Sequence, residues 1–142
     1  MRANGLEVEA QMRLGAGLQG VMSYALQRAE DVQSGAVLVN SPAQMAKFRL
    51  SVPGPSTLSV VSVEVLSMSS RRTLAGDTLK PTATANVTMI APVGTRFELV
   101  GGVMNLFDVQ YADPVSDQHR QDSIGRNGRT FRVGLRWKVW SK

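Results

Sequence analysis

The sequence predicts an all-β fold, an antiparallel up-and-down meander of about seven strands. Two observations carry that expectation. Apolar and polar residues alternate in seven separate runs, and strand side chains point to opposite faces at each step, so every run has one oily and one polar face. The connections between runs also go short, long, short, long, short, long, which in a meander puts the tight turns at one end and the long loops at the other. No segment is left over to cover seven oily faces, so that surface must meet lipid, a partner, or itself by closure.

The runs follow in order. Leu6, Val8, Ala10 and Met12 oppose Glu7, Glu9, Gln11 and Arg13, and Leu14 to Gly17 makes a tight turn. Residues 18–29 fit both a strand (Leu18, Met22, Tyr24, Leu26) and a helical stripe (Leu18, Met22, Ala25, Ala29); strand neighbours and the short turn favour the strand. A long polar loop, 29–44, precedes Ala46, Phe48, Leu50 and Val52, which oppose Lys47, Arg49 and Ser51. After the tight Pro53–Thr57 turn, Val61, Val63 and Val65 oppose Ser62 and Glu64. Beyond the longer loop 70–82, Ala85, Val87 and Met89 oppose Thr84, Asn86 and Thr88, until Ile90 interrupts the polar side. Ala91–Thr95 is tight, Phe97, Leu99 and Val103 oppose Arg96 and Glu98, and 110–129 is long again. The last run is the most regular, with Phe131, Val133, Leu135, Trp137 and Val139 against Thr130, Arg132, Gly134, Arg136 and Lys138.

Composition excludes several classes. The 142 residues make one domain at most, and 43% hydrophobic with 19% charged residues is not a disordered composition. Cysteine is absent, which removes disulfides, thiolate metal sites and cysteine nucleophiles. No apolar run approaches the roughly 18 residues of a transmembrane helix, and no secretory signal is expected behind Arg2. No enzymatic activity or cofactor is expected. Gly15-Ala16-Gly17-Leu18-Gln19-Gly20 spells a dinucleotide fingerprint, but no acidic residue stands about 20 positions on, so a hairpin turn is the better reading. His119 between Asp117 and Asp122 reads as a solvated loop cluster rather than a metal site. The basic tail from Arg120 to Lys142 carries seven cations against Asp122 alone, giving an alternative function, a soluble β-protein that binds an anionic polymer. Phe131 and Trp137 lie on the parity opposite Arg132, Arg136 and Lys138, which separates stacking from phosphate contacts and speaks against nucleic acid.

Asn105-Leu106-Phe107-Asp108, Tyr111, and then Gly128-Arg129 before Phe131 resemble the C-terminal end of TonB-dependent outer-membrane receptors. Asn40-Ser41-Pro42 before Lys47 and Ser70-Arg71-Arg72-Thr73 after Glu64 resemble preceding loops of that family, and Arg132, Gly134, Trp137 and Val139 resemble its outer-membrane assembly signal. The resemblance implies that residues 1–142 are a C-terminal segment of a 22-stranded barrel, without plug domain or signal peptide. It implies a Gram-negative outer-membrane location and energised uptake of a scarce ligand of the iron-siderophore, cobalamin or oligosaccharide class. The implied partners are outer-membrane lipid, the rest of the barrel and its plug, the outer-membrane assembly machinery, and TonB only through the missing N-terminal part. Glu7, Glu9, Lys47, Arg49, Glu64, Glu98, Arg132 and Arg136 are expected on the lumen wall, with Phe107 and Tyr111 at one aromatic girdle and Trp137 and Trp140 at the other.

Overall fold

The structure, a computed structural model, describes residues 1–56 and 59–139. Its strands are β1 (Arg2–Arg13), β2 (Gln19–Glu30), β3 (Gln44–Pro53), β4 (Val60–Met68), β5 (Arg71–Arg72), β6 (Thr78–Leu79), β7 (Thr82–Val93), β8 (Phe97–Met104), β9 (Ala112–Pro114), β10 (Ser123–Gly125) and β11 (Thr130–Trp137). Seven of them form one antiparallel sheet in the order β1-β2-β3-β4-β7-β8-β11. The strand reading of residues 18–29 is thus correct, and the fold is all-β.

Register explains why alternation in separate runs becomes one surface. Residues directly opposite across a strand pair share a face. Met12, Gly20, Leu50, Val63, Val87, Val103 and Phe131 form one row across the whole sheet. Val52, Val61, Met89, Gly101 and Val133 form the next. A one-residue slip at any pair would move that strand's apolar set to the other face.

The sheet has almost no buried apolar core. Ala85 is the buried hydrophobic residue among the described ones, joined by Pro42 in a loop and Pro114 in β9, whereas Ser59, Arg71, Thr73, Asn86 and Asn105 are buried polar residues. In β4 the apolar-face residues Val63 and Val65 are exposed while Ser62 and Glu64 are half-buried; in β8, Phe97 and Leu99 are exposed and Glu98 is not.

The turns segregate by length. Leu14–Leu18 closes on a bond from Leu14 N to Leu18 O of 2.9 Å, with Ala16 and Gly17 at positive φ and Pro53 packed where a Gly17 side chain would start. Gly94, also at positive φ, serves the β7–β8 turn at the same end. The long connections are not plain loops, because two of them carry their own ribbons, β5–β6 and β9–β10. Several boundaries differ from the sequence reading. β7 runs on to Val93, with Ala91, Pro92 and Val93 paired to Leu99, Glu98 and Phe97, so the turn expected at Ala91–Thr95 narrows to residues 94–96. The first strand starts at Arg2, and the last ends at Trp137, after which Lys138 N bonds to Arg96 O and leaves Val139 outside the ladder. Thr57 and Trp140 lie outside the described residues.

Candidate functional site

The polar face is a network of cross-strand pairs. Arg49, Glu64 and Asn86 stand in one row, where Arg49 Nη2 lies 2.5 Å from Glu64 Oε2 and Asn86 Nδ2 donates to Glu64 Oε1 at 3.4 Å. Lys47 Nζ reaches the same carboxylate at 3.6 Å, and Ser51 and Ser62 share a 2.8 Å hydroxyl bond one row on. Glu98 collects Arg136 at 3.1 Å and Lys138 at 2.6 Å. Glu7 and Glu9 share this face through their rows with Ala25 and Ser23. The face is not uniformly polar. Ile90, which interrupts the sequence pattern, stands in register with Val60 and Val100, so an apolar strip crosses the polar side near the short turns.

The motif residues assemble into a latch at the other end. Asn105 is buried with φ of 50°; its Oδ1 accepts from Val109 N at 2.9 Å, and its Nδ2 donates to Val109 O at 2.9 Å and Asn127 O at 3.4 Å. Its own N–H donates to the buried Asn86 side chain at 2.9 Å, and Leu106 N donates to Ala85 O at 2.7 Å. Asn tolerates the left-handed conformation better than other side-chain-bearing residues do. Asp108 reaches forward 21 residues, where its Oδ1 accepts from Arg129 N at 2.7 Å. A Cβ on Gly128 would fall on that carboxylate oxygen, so glycine is required there for the approach. Asn105, Asp108, Gly128 and Arg129 therefore meet, while Phe107 is 71% exposed and takes no part. Phe131 lies on the apolar face beside Val103.

A second junction ties the three long loops together. Arg71 is only 6% exposed; Nη1 bonds Asp113 Oδ1 at 2.7 Å and Asn40 Oδ1 at 3.4 Å, and Nη2 bonds Ala112 O at 2.9 Å. Arg126 binds the other oxygen of Asp113, and Asn40 N donates to Arg72 O at 2.9 Å. Burial opposes ionisation of Asp113, but hydrogen bonds and charges from Arg71 and Arg126 outweigh it and hold its pKa below the ordinary carboxylate value. The sequence reading did not single out this cluster, because Asn40 and Asp113 lie 31 and 42 positions from Arg71 and Arg126 farther still.

Between the sheet and the β9–β10 ribbon lies a groove of about 550 Å³, lined by Leu66, Thr84, Asn86, Met104, Tyr111, Ile124, Arg126 and Arg132 among others. A smaller polar hollow continues from it past Asn86 and Met104 to Arg49 and Glu64. Tyr111 thus belongs to the polar side, which corrects its expected place in an outer girdle; its loop position is fixed by Arg126 N donating to its carbonyl at 2.8 Å. Trp137 does lie on the apolar face, stacked on Phe97 at 6.3 Å. Gly15–Gly17 is a short turn leading into β2, with no helix to receive a phosphate. Among the described residues no group of three His, Cys, Asp or Glu side chains is placed to hold a metal, and Asp122 instead accepts from Ala75 N at 3.0 Å.

No protein-family model matches the chain, and no curated protein matches it significantly. No helix among the described residues is long and apolar enough to cross a membrane, a statement that leaves crossing by strands open.

Proposed function

We propose that this chain is a barrel-wall segment of an outer-membrane receptor of the TonB-dependent type, acting in energised uptake of a scarce ligand rather than in catalysis. The observation that carries this reading is a two-faced sheet with almost no apolar core: large hydrophobic side chains such as Leu6, Val63, Phe131 and Val133 stay exposed on one face, and cross-strand ion pairs gathered on Glu64 and Glu98 occupy the other. A barrel wall in lipid requires that arrangement, since its outer face meets hydrocarbon and its inner face meets water. Loop segregation supports the same reading, because outer-membrane barrels have short periplasmic turns and longer external loops. The latch built by Asn105, Asp108 and Gly128 gives a physical reason for the residues that resemble the family.

The anionic-polymer alternative is less favoured because its aromatic and cationic residues do not share a surface. The Phe97–Trp137 stack lies on the face opposite Arg136 and Lys138, which share one carboxylate, Glu98.

Sidedness tests the proposal. In whole cells producing the protein in its outer membrane, cysteines placed singly at Ser34, Asp77 and Asp117 should react with an impermeant thiol reagent, and Gly54→Cys and Gly94→Cys should not. Preferential labelling at Gly54 or Gly94 would invert the topology. A chain that remains a monodisperse monomer in detergent-free buffer would remove the membrane assignment altogether.

A further inference from the structure

We propose that the groove beneath the β9–β10 ribbon binds an organic carboxylate, with Arg132 receiving the anion. The inference deepens the uptake reading by naming a ligand class for the chain's own surface, and it rests on that reading only for the groove's orientation in a membrane.

The lining includes two cations and no carboxylate. They are not equivalent. Arg126 is held by Asp113. Arg132 makes no ion pair among the described residues, and the register explains why: it stands opposite Gly102, and the next residue on its face of β11 is Gly134. The nearest acid along that face of β8 is Glu98, two side-chain positions from Gly102, and Arg136 and Lys138 already occupy it. An uncompensated guanidinium at a groove wall is an anion receptor, because its planar fork of N–H donors matches two oxygens of one carboxylate.

The remaining lining sets the rest of the ligand. Leu66, Met104 and Ile124 supply hydrocarbon, and Tyr111, whose hydroxyl makes no hydrogen bond among the described residues, also lines the groove. A ligand with one carboxylate, a flat or aliphatic body and a hydroxyl satisfies all three. One uncommitted cation favours a monoanion. A phosphate dianion calls for a second, and Arg126 already shares Asp113 with Arg71. The volume of about 550 Å³ lies within the range of about 300–1,000 Å³ usual for small-molecule sites.

The test uses the full chain refolded in detergent micelles, its strand content checked by circular dichroism. The probes are 4-hydroxybenzoate, its neutral counterpart 4-hydroxybenzyl alcohol, and inorganic phosphate, each titrated while backbone amide shifts are followed by NMR. Saturable shifts at Asn127, Thr130 and Arg132 are expected with 4-hydroxybenzoate, with binding weaker by about tenfold or more for the alcohol, for phosphate and for the Arg132→Gln protein. Arg136→Gln, whose partner Glu98 keeps Lys138, should bind as the parent does. Equal binding of acid and alcohol, tighter binding of phosphate, an unaffected Arg132→Gln protein, or shifts elsewhere would each overturn the assignment. Should Arg132→Gln fail to fold, the acid–alcohol comparison on the parent chain decides alone. The two proposals fail separately: a water-soluble monomer that binds 4-hydroxybenzoate sinks the barrel reading only, and a detergent-requiring chain that does not bind it sinks only this one.

Discussion

Replacing Arg71 by methionine should loosen the long-loop end of the sheet without touching the sheet itself. Methionine keeps an unbranched apolar stem in the buried site but removes the bonds to Asp113, Asn40 and Ala112. Breaking a buried ion pair by deleting one partner costs about 3–5 kcal/mol. Three features put this case at the lower end. Asp113 is 24% exposed, it retains Arg126, and Arg71 Nε is buried without a partner, a penalty the native pair already carries. A cost of about 3 kcal/mol corresponds to a roughly 150-fold rise in the population with open loops. Native-state hydrogen exchange reads that directly at three amides: Asn40 to Arg72 and Ala75 to Asp122, which cross between loops, and Arg126 to Tyr111, which continues the β9–β10 ribbon. Their exchange should accelerate by about two orders of magnitude, while Val63, central in the sheet, stays protected. Acceleration of less than tenfold at all three amides, or equal acceleration at Val63, would refute the idea that Arg71 joins the loops as a unit.

Acid should produce a milder version of the same opening. Asp113 has a depressed pKa in the folded state, so its contribution is present above the unfolded carboxylate value and is lost as pH falls through the folded one; loop exchange should rise below about pH 4 and not between about pH 5 and 8. Gly128→Ala drives a methyl into Asp108 and should cost about 1.5–3 kcal/mol through the lost bond to Arg129 N, seen as a lower denaturant midpoint, whereas Gly125→Ala, which meets open space, should be near neutral. Leu135→Arg puts a cation on the apolar face and should lower the yield of folded protein in membranes by about 2–4 kcal/mol in stability, with Trp137→Arg less harmful; Arg136→Leu should be tolerated because Glu98 keeps Lys138. Equal damage from Leu135→Arg and Arg136→Leu in a heat-modifiability gel would show that the two faces do not separate lipid from water.

The sheet was legible in the sequence because a period of two is a local signal. Leu6–Met12 and Phe131–Trp137 announce their faces without reference to any neighbour, and register needs only that like faces align. Residues 18–29 illustrate the limit, since Leu18, Met22, Ala25 and Ala29 satisfy a helical stripe as well; pairing of β2 with β1 and β3 decides the matter. The loop end was far less legible. Asn105 and Asp108 stood out by resemblance, but that Asp108 needs Gly128 is a contact across 20 residues that no periodicity encodes. Arg71 and Arg72 are adjacent and identical in type, yet Arg71 is buried and Arg72 exposed, because only Arg71 meets the carboxylate brought in by β9. The vacancy beside Arg132 was equally hidden, since it depends on Gly102 lying opposite.

Strand direction adds a constraint that neither faces nor loops supply. The seven sheet strands alternate in direction, so the first and the seventh, β1 and β11, run the same way. Their edges cannot pair antiparallel with each other, and a ring of copies related by rotation about one axis would bring β11 of each against β1 of the next in parallel. A two-fold axis normal to the sheet would allow β1 to pair antiparallel with β1, but it would place the long loops of one copy beside the short turns of the other. In a membrane that mixes the two sides, and the loop junction at Arg71 would stand at both surfaces. A wholly antiparallel closed wall that keeps all long loops on one side therefore needs an odd number of further strands between β11 and β1. With seven here, the total is even, as bacterial outer-membrane barrels require. Under the barrel proposal, the exposed backbone of β1 and β11 would therefore fix the direction of any strands lying against them.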